Sequence, residues 1–472
     1  MTPNLFFHYF FNVDPPHTAT GNMPAEYWWI DLIRIVVRVL VGLFAILLVV
    51  PPLVWWERRL LGFMQQRQGP NRVGPWGLLQ TIADGVKLLL KEDMNPSSVD
   101  VVLFVLAPVV FLVPALVTSA VLPWGPSLTW GASAPNVSVG VLYLLAWGSL
   151  AVYGVVLAGW ASNNKYSLLG GLRSSAQMIS YELGMGLAIV TIVLLTGSLS
   201  LTDVVARQGF TEYGLPLWNT LKFFPMGLVA MMIYAVSMLA ETNRAPFDLP
   251  EAETELVAGY HTEYTSMKFA IFFMAEYANM IVVSAICATL FFGGYHAPLL
   301  WLDGSYLGPL VALKTNALLG GAVSALVPVM WLTIKILCGL YFFIWIRATM
   351  PRLRYDMLMR AGWLGVFPIA LGNILMVAIA MALGYQYGLI GWIVLAVVSL
   401  WAFAGSKPGR AFTTNSRRDT TVLLYSEAQP FRGVPEHSGH GDQTLPPNAL
   451  SEGALAAAGQ GPLDDAFAAK KG

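Results

Sequence analysis

The chain has 472 residues, of which 56% are hydrophobic and only 11% are charged, and its formal net charge is zero. Soluble domains carry roughly 25% charged residues, so a water-soluble core does not account for this much apolar sequence. The balanced charge gives no footprint for nucleic acid, and an all-α polytopic membrane protein is the fold class that remains.

Residues 1–30 contain no Lys or Arg and no signal-peptide pattern, and read as an extracytoplasmic N-terminal extension. Nine candidate membrane spans follow within 31–404: 32–56, 99–122, 139–160, 179–196, 222–240, 268–292, 323–346, 366–383 and 389–404. Trp28, Trp29, Trp55, Trp124, Trp147, Trp160 and Trp301 fall near span ends, as an aromatic belt would place them. Between the first two spans, QGPNRVGP is a turn cluster. Pro75–Lys91 then repeats Leu78, Leu79, Ile82, Val86, Leu89 and Leu90 at helical spacing. It is too short to span and predicts one interfacial amphipathic helix, with Asp84 and Lys87 a turn apart.

Basic residues set the orientation. Arg58, Arg59, Arg67, Arg72, Lys87 and Lys91 follow the first span, and Arg347, Arg352, Arg354 and Arg360 follow the seventh. Lys407, Arg410, Arg417 and Arg418 open the stretch after the ninth, whereas 123–138 has no basic residue. The positive-inside rule therefore puts the N-terminus outside and odd-numbered spans exit to the cytoplasm. Residues 405–472 are polar and rich in Pro, Gly and Ala, which predicts a disordered cytoplasmic tail. Cys287 and Cys338 sit in apolar runs and read as packing residues.

The stretch 240–264, AETNRAPFDLPEAETELVAGYHTEY, concentrates Glu241, Asp248, Glu251, Glu253, Glu255 and Glu263 between two membrane-length apolar runs. Pro246 and Pro250 must end any helix continuing from the first run. Pro250 suits the start of a new helix, where Glu251, Glu253 and Glu255 complement the N-terminal dipole. One reading is an acidic, solvated helix start; the other is a proton path, because ionisable groups at membrane depth are functional by default. Glu182 and Glu276 are single acids inside apolar runs. Each costs about 2.5–3.5 kcal/mol on insertion scales, and each either joins two helices as a neutral hydrogen-bonded acid or serves a relay. Lys335, inside the seventh run, needs a partner for the same reason, and His261 is either a loop hydrogen-bonder or a proton carrier.

ERRLLGFMQQRQGPNRVGP (57–75), the acidic stretch, FFMAEY (272–277) and IRATMPRLRYDMLM (346–359) together resemble one family. It is the quinone-site membrane subunit of respiratory complex I, the NADH:quinone oxidoreductase of bacteria and mitochondria. The resemblance covers about residues 31–384. It implies a bacterial cell-membrane protein that forms the membrane part of a quinone site. It further implies a chain of buried carboxylates that couples quinone reduction to proton translocation. NADH, FMN and iron–sulfur clusters would lie on partner subunits, so this chain would be part of an enzyme without performing redox chemistry alone. Its partners would be the quinone-reducing and iron–sulfur peripheral subunits, small and antiporter-like membrane subunits, and membrane lipid.

Matched residue by residue, the resemblance gives Glu57, Arg58, Arg67, Arg244, Arg347 and Arg352 to the quinone cavity and its electrostatics. It gives Asp84, Glu182, Glu241, Asp248, Glu251, Glu253, Glu255, Glu263 and Glu276 to the proton path, with Arg354 and Asp356 in the basic loop. Where relatives have a lysine after the last Gly-Trp, this chain has Leu364. Three other readings stay open: the same subunit with a different electron donor, a secondary proton or cation transporter, and a structural anchor. The transporter would predict internal repeats, and the anchor leaves the buried acids without purpose.

Overall fold

An apolar run with no water around it must satisfy every backbone group internally, and a helix does so within one segment. The computed structural model describes residues 28–125, 138–211, 214–248, 258–314, 317–384 and 390–393. The described residues are mostly helical, with no strand and an isolated bridge between Phe210 and Pro216. In chain order the helices are α1 (Trp28–Met64), α2 (Gln80–Leu90), α3 (Val101–Thr118), α4 (Gly140–Ala161) and α5 (Lys165–Thr196). They continue as α6 (Leu201–Ala206), α7 (Asn219–Lys222), α8 (Met226–Glu241), α9 (Ser266–Phe291) and α10 (Gly304–Lys314). The last are α11 (Ala317–Thr349), α12 (Tyr355–Arg360) and α13 (Phe367–Leu383), with a π-helical stretch, Ala361–Val366, joining α12 to α13.

Among the described residues, six helical stretches are long and apolar enough to cross a membrane. They are Val101–Val121, Gly140–Ala161, Lys165–Thr196, Ser266–Phe291, Val323–Thr349 and Tyr355–Leu383, with Met226–Glu241 as a shorter apolar helix. The first expected span falls inside α1, which carries Pro51 and Pro52 within it. The ninth expected span lies outside the described residues except for 390–393, as do residues 1–27 and the tail. α5 starts at Lys165, well before the expected boundary at 179. Its polar first turns are hidden from a hydropathy reading, but Asn164 caps them by accepting from Tyr166 N–H at 3.0 Å.

The bundle is centred on α9: 67% of its most apolar stretch is buried, against 44% or less in the other five. α9 packs on α3, α11, α8, α1 and α2, while α5 joins α4, α8 and α13. Tyr181, Tyr234, Phe291, Phe343 and Leu340 form the shared core. α5 approaches its neighbours closely through glycines. A Cβ on Gly170 would lie 2.5 Å from Gly259 Cα, and one on Gly159 would lie 3.2 Å from Gly171 Cα. Helix α2 follows a short 3-10 turn, Pro75–Gly77, in which Trp76 has φ 53°. Its Ile82, Val86, Leu89 and Leu90 are all exposed. Cys287 is buried, but Cys338 is exposed, so the packing role expected for it within the chain does not hold.

Candidate functional site

Helix α8 stops at Glu241, ahead of Pro246, as the proline spacing requires. Thr242 Oγ1 donates back to Met238 O at 3.0 Å, and Asn243 takes a positive φ of 49°. Phe247 N–H then donates to Arg244 O at 2.8 Å and closes a turn around Ala245 and Pro246. This turn is interior: Glu241 is 8% exposed, Arg244 4% and Asp248 4%.

The turn delivers Arg244 to Glu57, which ends the first apolar run and is itself 3% exposed. Three elements donate to that one carboxylate. Arg347 Nη1, from α11, donates to Oε1; Arg244 Nη1 donates to the same oxygen at 3.5 Å. Tyr277 Oη, from α9, donates to Oε2 at 2.5 Å. The Arg244 guanidinium also lies over the Tyr277 ring, 4.3 Å from its centroid. Burial opposes the charge on Arg244, yet Tyr277, Glu57 and Glu276 around it raise its pKa above the ordinary arginine value. Two cations, Arg244 and Arg347, thus meet on the one carboxylate of Glu57. Arg244 Nε and Nη2 have no hydrogen-bond partner among the described residues.

The remaining acids fan out from this centre. Tyr260 Oη donates to Glu276 Oε1 at 3.2 Å, and His261 Nε2 lies 4.0 Å from the same oxygen. Asn164, the cap of α5, donates to Glu263 Oε1 at 2.7 Å. Arg352 Nη2 donates to Asp248 Oδ2 at 3.0 Å, while Leu353 N–H donates to Pro246 O at 3.0 Å. The loop after α11 is therefore tied to the acidic turn by side chain and backbone together. Glu241 ends α8, and Glu182 lies on α5, which packs against α8. Glu182, half-buried, borders an open apolar groove of about 540 Å3 lined by Leu145, Ser149, Leu187 and Phe367 among others.

Asp84 stands apart from the buried group. It accepts from Arg58 Nη1 at 2.5 Å and from Gln80 Nε2 at 3.2 Å, and joins α2 to the end of α1. Arg67 donates to Gln65 Oε1 at 2.6 Å and is exposed, so it is not brought into the buried cluster. Glu251, Glu253 and Glu255 lie outside the described residues. Arg354, just before α12, and Asp356, in its first turn, are exposed and 4.0 Å apart. Lys335 finds its partners in backbone: Nζ donates to Phe292 O, Gly294 O and His296 O at 2.5–2.8 Å.

Sequence reasoning assigned no role to Tyr277, Tyr260, Gln177 or Asn164. Tyr277 stood in the quoted FFMAEY run, beside Glu276, and a buried acid's need for a donor was the signal that could have found it.

These elements define a helical membrane protein with a buried, hydrogen-bonded group of arginines and carboxylates at the ends of α1, α8 and α11. The chain belongs to the NADH dehydrogenase family, whose profile matches residues 37–378. It is 44% identical over 369 residues to the NADH-quinone oxidoreductase H subunit 2 of Koribacter versatilis, covering 75% of this chain and 98% of that one. It is 48% identical over 349 residues to the NADH-quinone oxidoreductase H subunit of Rickettsia bellii, covering 74% and 93%. The protein of the same name from Ralstonia pickettii is 45% identical over 372 residues, covering 77% and 96%.

Proposed function

We propose that this chain is the H subunit of an NADH–quinone oxidoreductase, where it forms the membrane part of the quinone site and couples quinone reduction to proton translocation. The observation that carries the coupling is the Glu57 centre, at which α1, α9, α11 and the acidic turn meet on one buried carboxylate. Relatives over most of the chain bear the enzyme's name. FMN, NADH and iron–sulfur chemistry belong, in this reading, to partner subunits. The chain sits in a bacterial cell membrane with its N-terminus outside and its basic loops in the cytoplasm.

Quinone binding calls for apolar walls and a few fixed polar groups. The apolar residues of α1 and α2 serve as walls, with α2 lying at the interface. Arg58, Arg67, Arg347 and Arg352 supply the positive potential on the cytoplasmic side. Converting neutral quinone to neutral quinol consumes electrons and an equal number of protons, so these arginines sense negative charge only in the interval after the electrons arrive and before the protons do. Arg347 and Arg244 share Glu57, and any shift of one guanidinium alters the field at the others. Glu276, Glu263, Asp248, Glu241 and Glu182 then hold and pass protons, with Glu251, Glu253 and Glu255 continuing the acidic turn. Asp84 governs the approach through its tie to Arg58.

The test uses the assembled, membrane-embedded complex. Glu241→Gln keeps the shape of the turn and removes a proton carrier. Quinone-linked turnover should fall at least about tenfold, near 1.4 kcal/mol, while NADH oxidation by an artificial acceptor persists. Arg347→Ala should reduce turnover more than Arg360→Ala, because Arg347 bonds Glu57 whereas Arg360 is exposed. An assembled Glu241→Gln complex that pumps protons at the wild-type rate refutes the proton path.

A further inference from the structure

Gln177 lies on α5, five residues before Glu182, and its side chain is fully buried at 0% exposure. Its Nε2 donates to Ala240 O at 2.7 Å and to Phe247 O at 2.7 Å, with Asn243 Oδ1 at 3.2 Å. Each of these two carbonyls belongs to the residue just before a buried acid, Glu241 in one case and Asp248 in the other. Arg244 lies between them, in the turn that Phe247 closes by donating to Arg244 O. One primary amide thus spans the whole acidic turn from a different helix.

We propose that Gln177 is a positioning residue for the acidic turn. By bridging Ala240 and Phe247 it sets the spacing of Glu241 from Asp248 and holds Arg244 over Tyr277 and against Glu57. The consequence for turnover rests on the reading that these groups serve quinone-linked proton movement. The consequence for the turn's geometry does not.

The chemistry of the bracket is narrow. Three oxygens converge on one nitrogen, and an NH2 group has the hydrogens to satisfy the two carbonyls. Gln177 Oε1 has no partner among the described residues, so the donating end carries the role. A methionine has similar length and bulk and no donor; it removes the donor to Phe247 O and leaves Ala240 O with backbone donors alone, Asn243 N–H at 3.3 Å among them. A glutamate donates a single hydrogen when neutral, but when ionised it turns an oxygen toward three oxygens. If Gln177 only filled space, Gln177→Met would be tolerated and Gln177→Glu would have the wild-type pH profile.

The experiment compares wild type, Gln177→Met and Gln177→Glu in the purified complete complex. Quinone-linked turnover is measured from about pH 6 to about pH 8, and hydrogen exchange is followed in the peptide covering 240–248. In Gln177→Met, turnover should fall about tenfold, and the amides of Arg244 and Phe247 should exchange faster. The turnover of Gln177→Glu relative to wild type should rise about tenfold as pH falls across that range, because protonation restores a donor. Turnover of Gln177→Met within about twofold of wild type, with unchanged exchange, overturns the proposal. If Gln177→Met does not assemble, the Gln177→Glu ratio decides alone: a rise supports the bracket, and a flat ratio overturns it. Full activity of Glu241→Gln would remove the proton-path reading. The exchange measurement would still decide whether Gln177 sets the turn.

Discussion

Glu57 and Asp303 show two ways of keeping a carboxylate inside the protein. Glu57 is held by cations and a tyrosine hydroxyl, whereas Asp303, 2% exposed, is held by His296 and by the backbone and hydroxyl groups of its own loop. Asp303 Oδ1 accepts from Ala297 N–H at 3.0 Å, and Oδ2 accepts from Ser305 N–H at 3.2 Å and from the Ser305 hydroxyl. His296 Nδ1 lies 3.7 Å from Oδ1. Burial pushes the Asp303 carboxyl up, but His296, Ser305 and Ala297 together hold it well below its ordinary value of 3.8. A depressed folded-state pKa contributes stability that is present above the unfolded value and is lost as pH falls toward the folded one. Asp303→Asn should therefore destabilise the detergent-solubilised chain at neutral pH by about 1–3 kcal/mol. The gap from wild type should narrow below about pH 4. Thermal unfolding at both pH values measures it, and a gap that is constant with pH would show that ionisation of Asp303 is irrelevant. Glu182 and Glu276 were legible in the sequence because a charge in an apolar run stands out; Glu57 came from the family resemblance, and Asp303 was not singled out. Their donors were not: Tyr277, Tyr260 and Gln177 look like ordinary helix residues until the fold brings them within reach.

The elements were legible to different degrees for a related reason. Apolar runs and proline breaks revealed where the helices lie and where α8 ends. They could not reveal Trp76 in a left-handed turn, the π-helical step at Ala361–Val366, or the polar start of α5. Those features depend on contacts between elements. The Gly170–Gly259 approach is one of them, since Gly259 opens the 3-10 turn Gly259–His261 that presents Tyr260 and His261 to Glu276. A methyl group on Gly170 would meet Gly259 Cα at 2.5 Å, backbone against backbone, where no flexible side chain can yield. Gly170→Ala should displace that turn at about 1–3 kcal/mol and weaken the Tyr260–Glu276 hydrogen bond. A methyl group on Gly186, on the same helix, would have nothing within 4 Å, so Gly186→Ala is the control. Heat inactivation of quinone-linked turnover distinguishes them. Equal half-lives for the two variants would mean that the approach of α5 to the turn has no bearing on the site.

At the scale of the whole bundle, α11 joins two different polar environments. Arg347 near its C-terminal end donates to Glu57, while Lys335, twelve residues earlier, caps the carbonyls after α9. Twelve helical residues correspond to about 18 Å, a substantial part of a hydrocarbon core about 30 Å thick. The two environments thus lie at different depths along the helix, one near its middle and one near its C-terminal end, and the distribution of basic residues decides which end faces the cytoplasm. Arg347 lies in the last turn of α11 and Arg352, Arg354 and Arg360 follow it, whereas residues 293–316 before it have Lys314 as their one Lys or Arg. The positive-inside rule predicts that the Arg347 end faces the cytoplasm and the Asp303 loop the outside. Two exposed positions test this in single-cysteine variants on a Cys338→Ser background: Leu299, 44% exposed, before Asp303, and Arg354 after α11. A membrane-impermeant maleimide should label Leu299→Cys in right-side-out vesicles and Arg354→Cys only in inverted ones. The reverse pattern would overturn the orientation, and with it the cytoplasmic placement of the Glu57 centre. Labelling of both from one side would instead show that α11 does not cross the membrane.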